Sequence, residues 1–302
     1  MKKVVITGGT GLVGKTLTKL LISKGFEVVV LTRNQKLATQ FTNFSFWDVD
    51  NEIIDEQLIN TTDYIIHLAG EGIADKRWSL SRKKQILESR TKPLKLIYKV
   101  LQKNPFQLKA LISASGVGFY GAITSDKIFT EEDVSATDFL GQTCQLWEDE
   151  VDKFNTLNVR TVKLRTGIVL AENGGALKKM ALPFKFGFGC AIGSGKQYMP
   201  WISLNDLCNM YLFAIDNNHV SGAYNAVIED ETTNLSFSKT LAKSLNKSIW
   251  LPNIPALLLK IVLGEMATLL LEGSRVSNKK ITSQGFVFQD VDLSCLLNKT
   301  ID

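Results

Sequence analysis

Apolar residues along the first 165 positions of the chain follow two alternating periods. Short β-branched runs predict strands at Lys3–Thr7, Glu27–Thr32, Phe44–Trp47, Tyr64–Leu68, Ala110–Ser113 and Arg160–Arg165. Between them, apolar residues three and four apart predict helices over 12–24, 53–60, 79–103 and 140–156. Strands that alternate with helices are typical of βαβ units, so we predict an α/β fold with a doubly wound parallel sheet covered by helices on both faces.

The alternation breaks down after about residue 170, which predicts three regions. We assign 1–170 to a nucleotide-binding domain, 171–250 mainly to substrate-side elements with some segments returning to the sheet, and 251–302 to a small C-terminal helical domain. The apolar stretch 255–271 is too short to span a membrane. We expect it to form paired amphipathic helices packed on the body, with peripheral membrane contact as the alternative.

Composition narrows the function classes. The chain has 302 residues, is 45% hydrophobic and carries a net charge of +5, which is ordinary globular composition and too mild an excess for a nucleic-acid partner. The four cysteines are scattered without a CxxC pair, which favours a reducing cytoplasm over a disulfide framework. With only two histidines, we expect no metal site.

Residues 4–16, VVITGGTGLVGKT, fit two phosphate-binding patterns at once. Gly8, Gly11 and Gly14 suit a dinucleotide-binding loop between a strand and a helix. Gly9, Gly14 and the following Lys-Thr pair also satisfy the P-loop pattern G-x-x-x-x-G-K-T. In either case glycines let the backbone approach a phosphate, and the helix N-terminus offers free N–H groups.

The ends of the other predicted strands favour the dinucleotide. A P-loop enzyme needs an acidic residue at the end of another strand to hold Mg²⁺, and no predicted strand ends in one. Arg33 stands at the end of the second strand, where an acid would bind the ribose of NAD and a base would accept the 2′-phosphate of NADP. Because residues 28–47 contain no Asp or Glu, we predict NADP(H).

An ordered set of motifs resembles the extended short-chain dehydrogenase/reductase superfamily, and more narrowly its atypical "epimerase family" group. The resemblance covers nearly the whole chain, since residues 251–297 resemble the small domain of unknown function appended to that group. The superfamily motifs are T-G-G-T-G-L-V-G (7–14), H-L-A-G (67–70), S-A-S-G-V-G-F-Y-G (113–121), R-T-G-I-V-L (165–170), P-W-I-S-L-N-D-L (200–207) and G-A-Y-N (222–225). The group's own marks are A-G-E-G-I-A-D-K-R-W (69–78), E-S-R (88–90), W-E (147–148) and G-S-G-K-Q-Y-M-P-W-I (193–202).

The resemblance implies a Rossmann fold that binds NADP(H). It implies that the pyrophosphate lies against Gly8, Thr10, Gly11, Leu12 and Val13. It further implies that Arg33 takes the 2′-phosphate and Asp48 lies near the adenine, while Leu68, Ala69 and Gly70 lie near the ribose and Ser113 and Ala114 approach the nicotinamide side. Superfamily members often pair helices of the nucleotide domain, so a homodimer is compatible with it.

The usual catalytic pair is missing. Superfamily oxidoreductases use a Tyr-x-x-x-Lys motif, in which the tyrosine moves a proton and the lysine lowers its pKa. The resemblance puts Leu140 and Cys144 at those positions, and neither side chain can do that work. As substitutes we consider Ser115 and Tyr120 as catalytic residues. Candidate substrate-contacting residues are Glu71, Arg77, Trp78, Gln197 and Trp201.

Three functions follow from these observations. The first is an NADP(H)-dependent oxidoreductase or epimerase acting on a small-molecule, anionic substrate. The second is an NADP(H)-binding redox sensor or interaction protein without turnover, which the missing pair motivates. The third, a P-loop nucleotide hydrolase, rests on Gly14-Lys15-Thr16 alone.

Overall fold

The computed structural model describes residues 1–172 and 174–301. Within them the chain forms eleven strands and twelve α-helices. The strands are β1 (Lys3–Thr7), β2 (Glu27–Thr32), β3 (Phe44–Phe46), β4 (Tyr64–His67), β5 (Ala110–Gly116), β6 (Ile128–Phe129), β7 (Arg160–Thr166), β8 (Ile168–Leu170), β9 (Trp201–Ser203), β10 (Gly222–Ala226) and β11 (Arg275–Val276). The helices are α1 (Leu12–Ser23), α2 (Gln35–Gln40), α3 (Glu56–Asn60), α4 (Leu80–Lys103), α5 (Phe139–Asp152), α6 (Gly175–Lys185), α7 (Leu204–Asp216), α8 (Asn234–Ser244), α9 (Ala256–Leu263), α10 (Thr268–Leu271), α11 (Lys279–Ser283) and α12 (Leu293–Thr300).

Seven parallel strands form the central sheet in the order β10-β7-β5-β4-β1-β2-β3. The order reverses between β1 and β4, so the loops after these strands open a crevice at their carboxyl ends. This architecture confirms the predicted doubly wound, Rossmann-type α/β fold. All six predicted strands are present within a few residues, and β10 is a returning segment from the 171–250 region.

The sheet is buried on both faces because its strands are apolar almost throughout. Val4 and Ile6 point into a core shared with α1 and α7, whereas Val5 points into the opposite core shared with α4 and α5. Alternate residues of one strand thus stabilise two layers. The predicted helix over 53–60 is shorter than expected, because Asp48 and Ile53 form a turn before Asp55 caps α3.

A third core lies beyond the central sheet and holds the later elements together. Phe184 of α6, Trp201 of β9, Phe237 of α8 and Leu296 of α12 pack in one cluster. The C-terminal region also reaches back to the first part of the chain, since β11 pairs with β6 and Met266 packs with Trp78. The predicted division near residues 170 and 250 stays a prediction.

Candidate cofactor site

The glycine-rich loop between β1 and α1 is shaped by contacts that exclude side chains. Gly8 has a φ of +70°, and a Cβ there would lie 2.7 Å from the Leu68 carbonyl carbon. A Cβ on Gly14 would lie 2.4 Å from the Cα of Gly9, so the helix can approach the loop this closely only because Gly14 lacks a side chain. This is the geometry that a dinucleotide loop requires.

The start of α1 offers free hydrogen-bond donors. No side chain caps the helix at Gly11, and its first turn carries no acidic residue. The N–H groups of the first turn and the positive end of the helix dipole therefore remain available to an anion. Thr16, the hydroxyl that a P-loop would use for Mg²⁺, instead donates to the Leu12 carbonyl at 3.3 Å.

A cleft of about 860 Å³ opens at the carboxyl ends of β1, β2 and β4. It is within the size range of small-molecule and cofactor sites. Eight of the predicted cofactor residues line it, namely Gly8, Thr10, Gly11, Arg33, Asp48, Leu68, Ala69 and Gly70. The structure therefore brings together residues that lie more than 60 positions apart in the sequence.

Four predicted cofactor residues lie outside this cleft. Leu12 points toward the turn at Gly174 and Gly175, where an added Cβ would come within 3.4 Å of it. Val13 packs against the core on the α7 side, and Ala114 packs against the opposite core. Ser113 is buried, with its hydroxyl donating to the Ala114 carbonyl at 2.8 Å. Their contact with a cofactor stays a prediction.

Arg33 projects into solvent at the rim of the cleft. Its side chain is 81% exposed, and the nearest carboxylate belongs to Glu71, 4.0 Å away. The neighbouring Asn34 accepts hydrogen bonds from Lys36 and Leu37 and so starts α2 directly behind the arginine. A loosely paired guanidinium at a helix start is well suited to bind a phosphate.

Asp48 lines the same cleft. Its carboxylate accepts from the Asn51 side chain at 2.9 Å and from the backbone of Asn51 and Asp50. These hydrogen bonds, with the Asn51 side chain as the largest cause, lower the pKa of Asp48 below its ordinary value. The residue is thus a fixed, ionised acceptor at the position where the resemblance implies the adenine.

His67 does not line the cleft but is connected to the lining residues Leu68 and Ala69 through Thr7. The Thr7 hydroxyl accepts from the N–H groups of Leu68 and Ala69 and lies 2.7 Å from Nδ1 of His67. Nε2 lies 3.0 Å from the Arg90 carbonyl, which can only accept, so Nε2 carries the proton and Nδ1 accepts from Thr7. Burial lowers the pKa of His67 to about 4, and the imidazole is neutral at pH 7.

We expect acid to destabilise the protein through His67. Its folded-state pKa of about 4 lies below the ordinary value of 6.5, so the contribution is intact above pH 6.5 and is lost as the pH falls toward 4. Its size is about 2–3 kcal/mol by pH 4.5. Urea unfolding of the wild type and of His67→Asn at pH 7 and 4.5 measures it, because the variant lacks this slope.

His219→Asn is the matched control for that measurement. His219 is exposed and this variant keeps the buried His67, so it should retain the acid sensitivity assigned to His67. Equal pH slopes for the wild type and His67→Asn would refute the role of the buried imidazole.

The two positions where the resemblance places Tyr and Lys are buried and cannot exchange protons at neutral pH. Leu140 packs with Trp78 and Met266. Burial, and then the nearby Glu148, raise the pKa of the Cys144 thiol to about 12, so it stays protonated. Gly118 lies directly against Leu140, where an added Cβ would come within 3.3 Å of the leucine Cβ. An apolar contact between α5 and the turn that follows β5 therefore occupies the place where the resemblance puts the catalytic pair.

Ser115 and Tyr120 belong to a buried network beneath the cleft. Ser115 donates to Glu148 at 2.7 Å, and Glu148 forms a two-pronged ion pair with Arg165 at 2.9 Å. Tyr120 donates to Asn225 at 2.7 Å and accepts from Arg165 at 3.0 Å. Burial raises the pKa of Tyr120 to about 12 although Arg165 lowers it. The Tyr120 hydroxyl thus has one acceptor and one donor as protein partners, and the catalytic roles of Ser115 and Tyr120 stay predictions.

The predicted substrate residues are divided between surface and interior. Glu71 lines the cleft and pairs with Arg82 at 3.2 Å. Arg77 is exposed and lies against Gly264, where an added Cβ would come within 2.8 Å of its Nε. Trp78 is buried and donates to the Ile73 carbonyl at 2.9 Å.

Gln197 and Trp201 do not line the cleft, and their contact with a substrate stays a prediction. Trp201 is fully buried and donates to Asp230 at 2.7 Å. Gln197 is also buried and donates to the carbonyls of Ile192 and Leu270. Both side chains join the 192–202 loop to neighbouring segments, a role that the sequence pattern did not distinguish from substrate contact.

Arg90 was missed among the candidate site residues. Its guanidinium lies under Gly70, where an added Cβ would come within 3.2 Å of its Cζ, and 5.2 Å from the Trp147 ring centroid. It donates to the carbonyls of Ile86 and Glu71, and no acidic side chain pairs with it in the described part of the chain. The E-S-R motif at 88–90 was the feature of the sequence that pointed to Arg90. Its spacing did not show which residues the Arg90 side chain contacts.

Two possible features are absent from residues 1–172 and 174–301. They contain no group of three or more His, Cys, Asp or Glu side chains that could hold a metal ion. No helix among them is long and apolar enough to cross a membrane.

The glycine loop, the switch in strand order and the cleft define a nicotinamide-dinucleotide-binding protein of the Rossmann type. The sequence matches the NAD dependent epimerase/dehydratase family over residues 4–226 and the domain of unknown function DUF1731 over residues 254–299. The chain therefore belongs to the NAD dependent epimerase/dehydratase family, whose members bind a nicotinamide dinucleotide. This confirms the resemblance found in the motifs, including that of the C-terminal segment.

Three relatives place the chain more closely. Epimerase family protein YfhF of Bacillus subtilis is 36% identical over 301 residues, which are 99% of this chain and 97% of that protein. The crystal structure of human epimerase family protein SDR39U1 with NADPH has a TM-score of 0.86 at 30% identity, over 99% of this chain and 98% of that one. A nucleoside-diphosphate sugar epimerase from Corynebacterium glutamicum has a TM-score of 0.80 at 30% identity, over 99% of this chain and 58% of that one.

Proposed function

We propose that this protein is an NADP(H)-dependent oxidoreductase or epimerase of a small molecule, and that its cofactor is the phosphorylated dinucleotide. The observation that carries the proposal is the exposed, loosely paired Arg33 at the end of β2. No acidic residue occurs from 28 to 47 to select the unphosphorylated ribose. The similar human protein SDR39U1 has a crystal structure with NADPH, which agrees with this choice.

The residues of the cleft fit this cofactor. Gly8, Gly11 and the free N–H groups of α1 would hold the pyrophosphate, Arg33 the 2′-phosphate and Asp48 the adenosine end. When bound, the nicotinamide supplies or accepts a hydride. An anionic substrate is part of the proposal, because Lys76 and Arg82 line the cleft beside Glu71. A cytoplasmic location and a homodimer also stay predictions.

A second function is favoured by one specific observation. Leu140 and the protonated Cys144 put an apolar contact where the superfamily has its proton donor and its lysine. The chain can therefore hold the cofactor without that proton-transfer machinery, as a redox sensor or interaction protein would. Consumption of NADPH in a panel of small carbonyl compounds favours the enzyme. Tight binding with no consumption across the panel favours the second function.

Replacing Arg33 by aspartate should reverse the cofactor preference. The variant loses charge-assisted hydrogen bonds to the 2′-phosphate, worth about 1.5–3 kcal/mol, and gains an acceptor for a free ribose hydroxyl. We expect NADPH binding to weaken about 10- to 100-fold while NADH binding is retained or improves. Fluorescence titration of both reduced cofactors measures the change.

Lys36→Met is the matched control, since Lys36 is an exposed cation in the same acid-free segment but does not line the cleft. It should bind NADPH as the wild type does. Tighter binding of NADH than of NADPH by the wild-type protein would rule out the assignment of Arg33.

A further inference from the structure

Helix α9 presents an apolar face to solvent. Leu257, Leu258, Ile261 and Val262 are 70%, 52%, 65% and 60% exposed. At about 100° per residue these four positions fall within one arc of the helix. No residue of α9 is buried. Exposed leucines are common singly, but four apolar side chains on one short helix form a contiguous apolar surface.

The opposite side of α9 is apolar as well. Ala256, Leu259 and Leu263 are half-buried toward the body, and Lys260 is the only charged residue in the helix. A helix that is hydrophobic all round belongs in a buried environment. We expected paired amphipathic helices packed on the body; α9 packs on it with one side, but its other side is apolar and has no partner in the described structure.

Two segments that precede α9 and are joined to each other also expose aromatic residues. Trp250, Phe186 and Phe188 are exposed, and Trp250 donates to the Gly187 carbonyl at 2.9 Å. Backbone hydrogen bonds from Ile254 to Ala191 and from Gly193 to Ile254 hold the two segments together just before α9. We call these three aromatic residues and the four exposed residues of α9 the apolar platform.

The segments that carry the apolar platform have a one-sided charge. Residues 174–205 contain four lysines, of which Lys179 pairs with Asp75 at 3.0 Å, and no acidic residue; residues 233–264 also contain four lysines and no acidic residue. Two such surfaces from two copies of the chain would repel each other. A surface of fixed negative charge complements them.

We propose that the apolar platform docks on an anionic lipid bilayer, with α9 lying in the plane of the interface. Exposed apolar side chains, a tryptophan among them and lysines around them are the combination by which interfacial helices bind such membranes. Only one side of α9 packs on the rest of the protein. Its exposed side would therefore lie on the bilayer, and the protein would not cross the membrane. This inference is independent of the cofactor and of any reaction.

Sedimentation with lipid vesicles tests the proposal on the full chain. We expect binding to vesicles of phosphatidylcholine with phosphatidylglycerol, weaker binding at high salt, and little binding to phosphatidylcholine alone. Trp250 emission should shift to shorter wavelength on the anionic vesicles. The double variant Leu258→Ser/Ile261→Ser should bind these vesicles about tenfold more weakly and should keep wild-type NADPH affinity and melting temperature.

Val134→Ser is the matched control, because Val134 is 85% exposed and lies outside the apolar platform. It should bind vesicles as the wild type does. Absence of wild-type binding to anionic vesicles, or equal binding by the double variant, would overturn the proposal. So would a wild-type dimer that the double variant dissociates, since a second copy would then cover the surface. NADPH binding is measured separately, so failure here leaves the proposed function intact.

Discussion

Replacing Arg165 by methionine is expected to lower the free energy of unfolding by about 3–5 kcal/mol. Both members of the Arg165–Glu148 pair are buried, and Glu148 accepts two hydrogen bonds from the guanidinium. The variant leaves the Glu148 carboxylate buried with Ser115 as its one remaining hydrogen-bond partner among residues 1–172 and 174–301. Chemical denaturation at pH 7 measures the loss.

The double variant Arg165→Met/Glu148→Leu separates the effect of an unpaired buried charge on stability from the effect of altered packing. Removal of both charges should recover much of the lost stability, because a buried pair is costly mainly when it is half removed. Lys109→Met is the control, since Lys109 is 57% exposed in its pair with Asp63, and the pair should contribute about 0–1 kcal/mol. Equal losses for the Lys109 and Arg165 variants would contradict the assigned importance of the buried pair.

Replacing Gly14 by alanine is expected to weaken NADPH binding about a hundredfold, or roughly 2.8 kcal/mol. Gly14 lies in α1, where alanine has the better intrinsic helix propensity by about 1 kcal/mol. Steric overlap outweighs this gain in helix propensity, because the new Cβ would lie 2.4 Å from the Gly9 Cα and 2.6 Å from the Gly8 carbonyl oxygen. The loop must then move away from the helix start. Cofactor titration and thermal melting measure the two effects.

Gly25→Asn controls for a general loss of stability. Gly25 has a φ of +83° and nothing within 4 Å of an added Cβ, and asparagine tolerates that conformation best among the larger residues. We expect a small drop in melting temperature with unchanged NADPH affinity. If Gly14→Ala also binds NADPH as the wild type does, the close packing of the loop is not needed for the cofactor.

The strand pattern of the first 165 residues was predictable because a parallel sheet buried on both faces needs short β-branched runs. The runs at β2 and β4 satisfy that need with almost no polar interruption. The neighbours of each strand in the sheet were harder to predict from the sequence. The neighbours of β7 are β5 and β10, the latter far along the chain, and this pairing depends on packing rather than on local sequence.

The glycine-rich loop and the basic end of β2 were predictable for a related reason. Both depend on residue types at short spacing, which a sequence displays directly, whereas their contacts with a cofactor stay predictions. The surroundings of three other candidates, Tyr120, Gln197 and Trp201, were harder to predict from the sequence. An aromatic or amide side chain near a predicted cleft can face either the cleft or the protein interior. In the structure Arg165 and Asn225 bind the Tyr120 hydroxyl, and Asp230 accepts from Trp201.

By itself, the sequence determined the alternating α/β architecture, the glycine loop and the basic end of β2. These follow from residue type and near spacing. Only the tertiary structure decided that His67 is buried and neutral, that Arg90 lies beneath Gly70, and that one side of α9 is uncovered. Burial and charge pairing arise from contacts between residues distant along the chain, and local sequence does not specify those contacts.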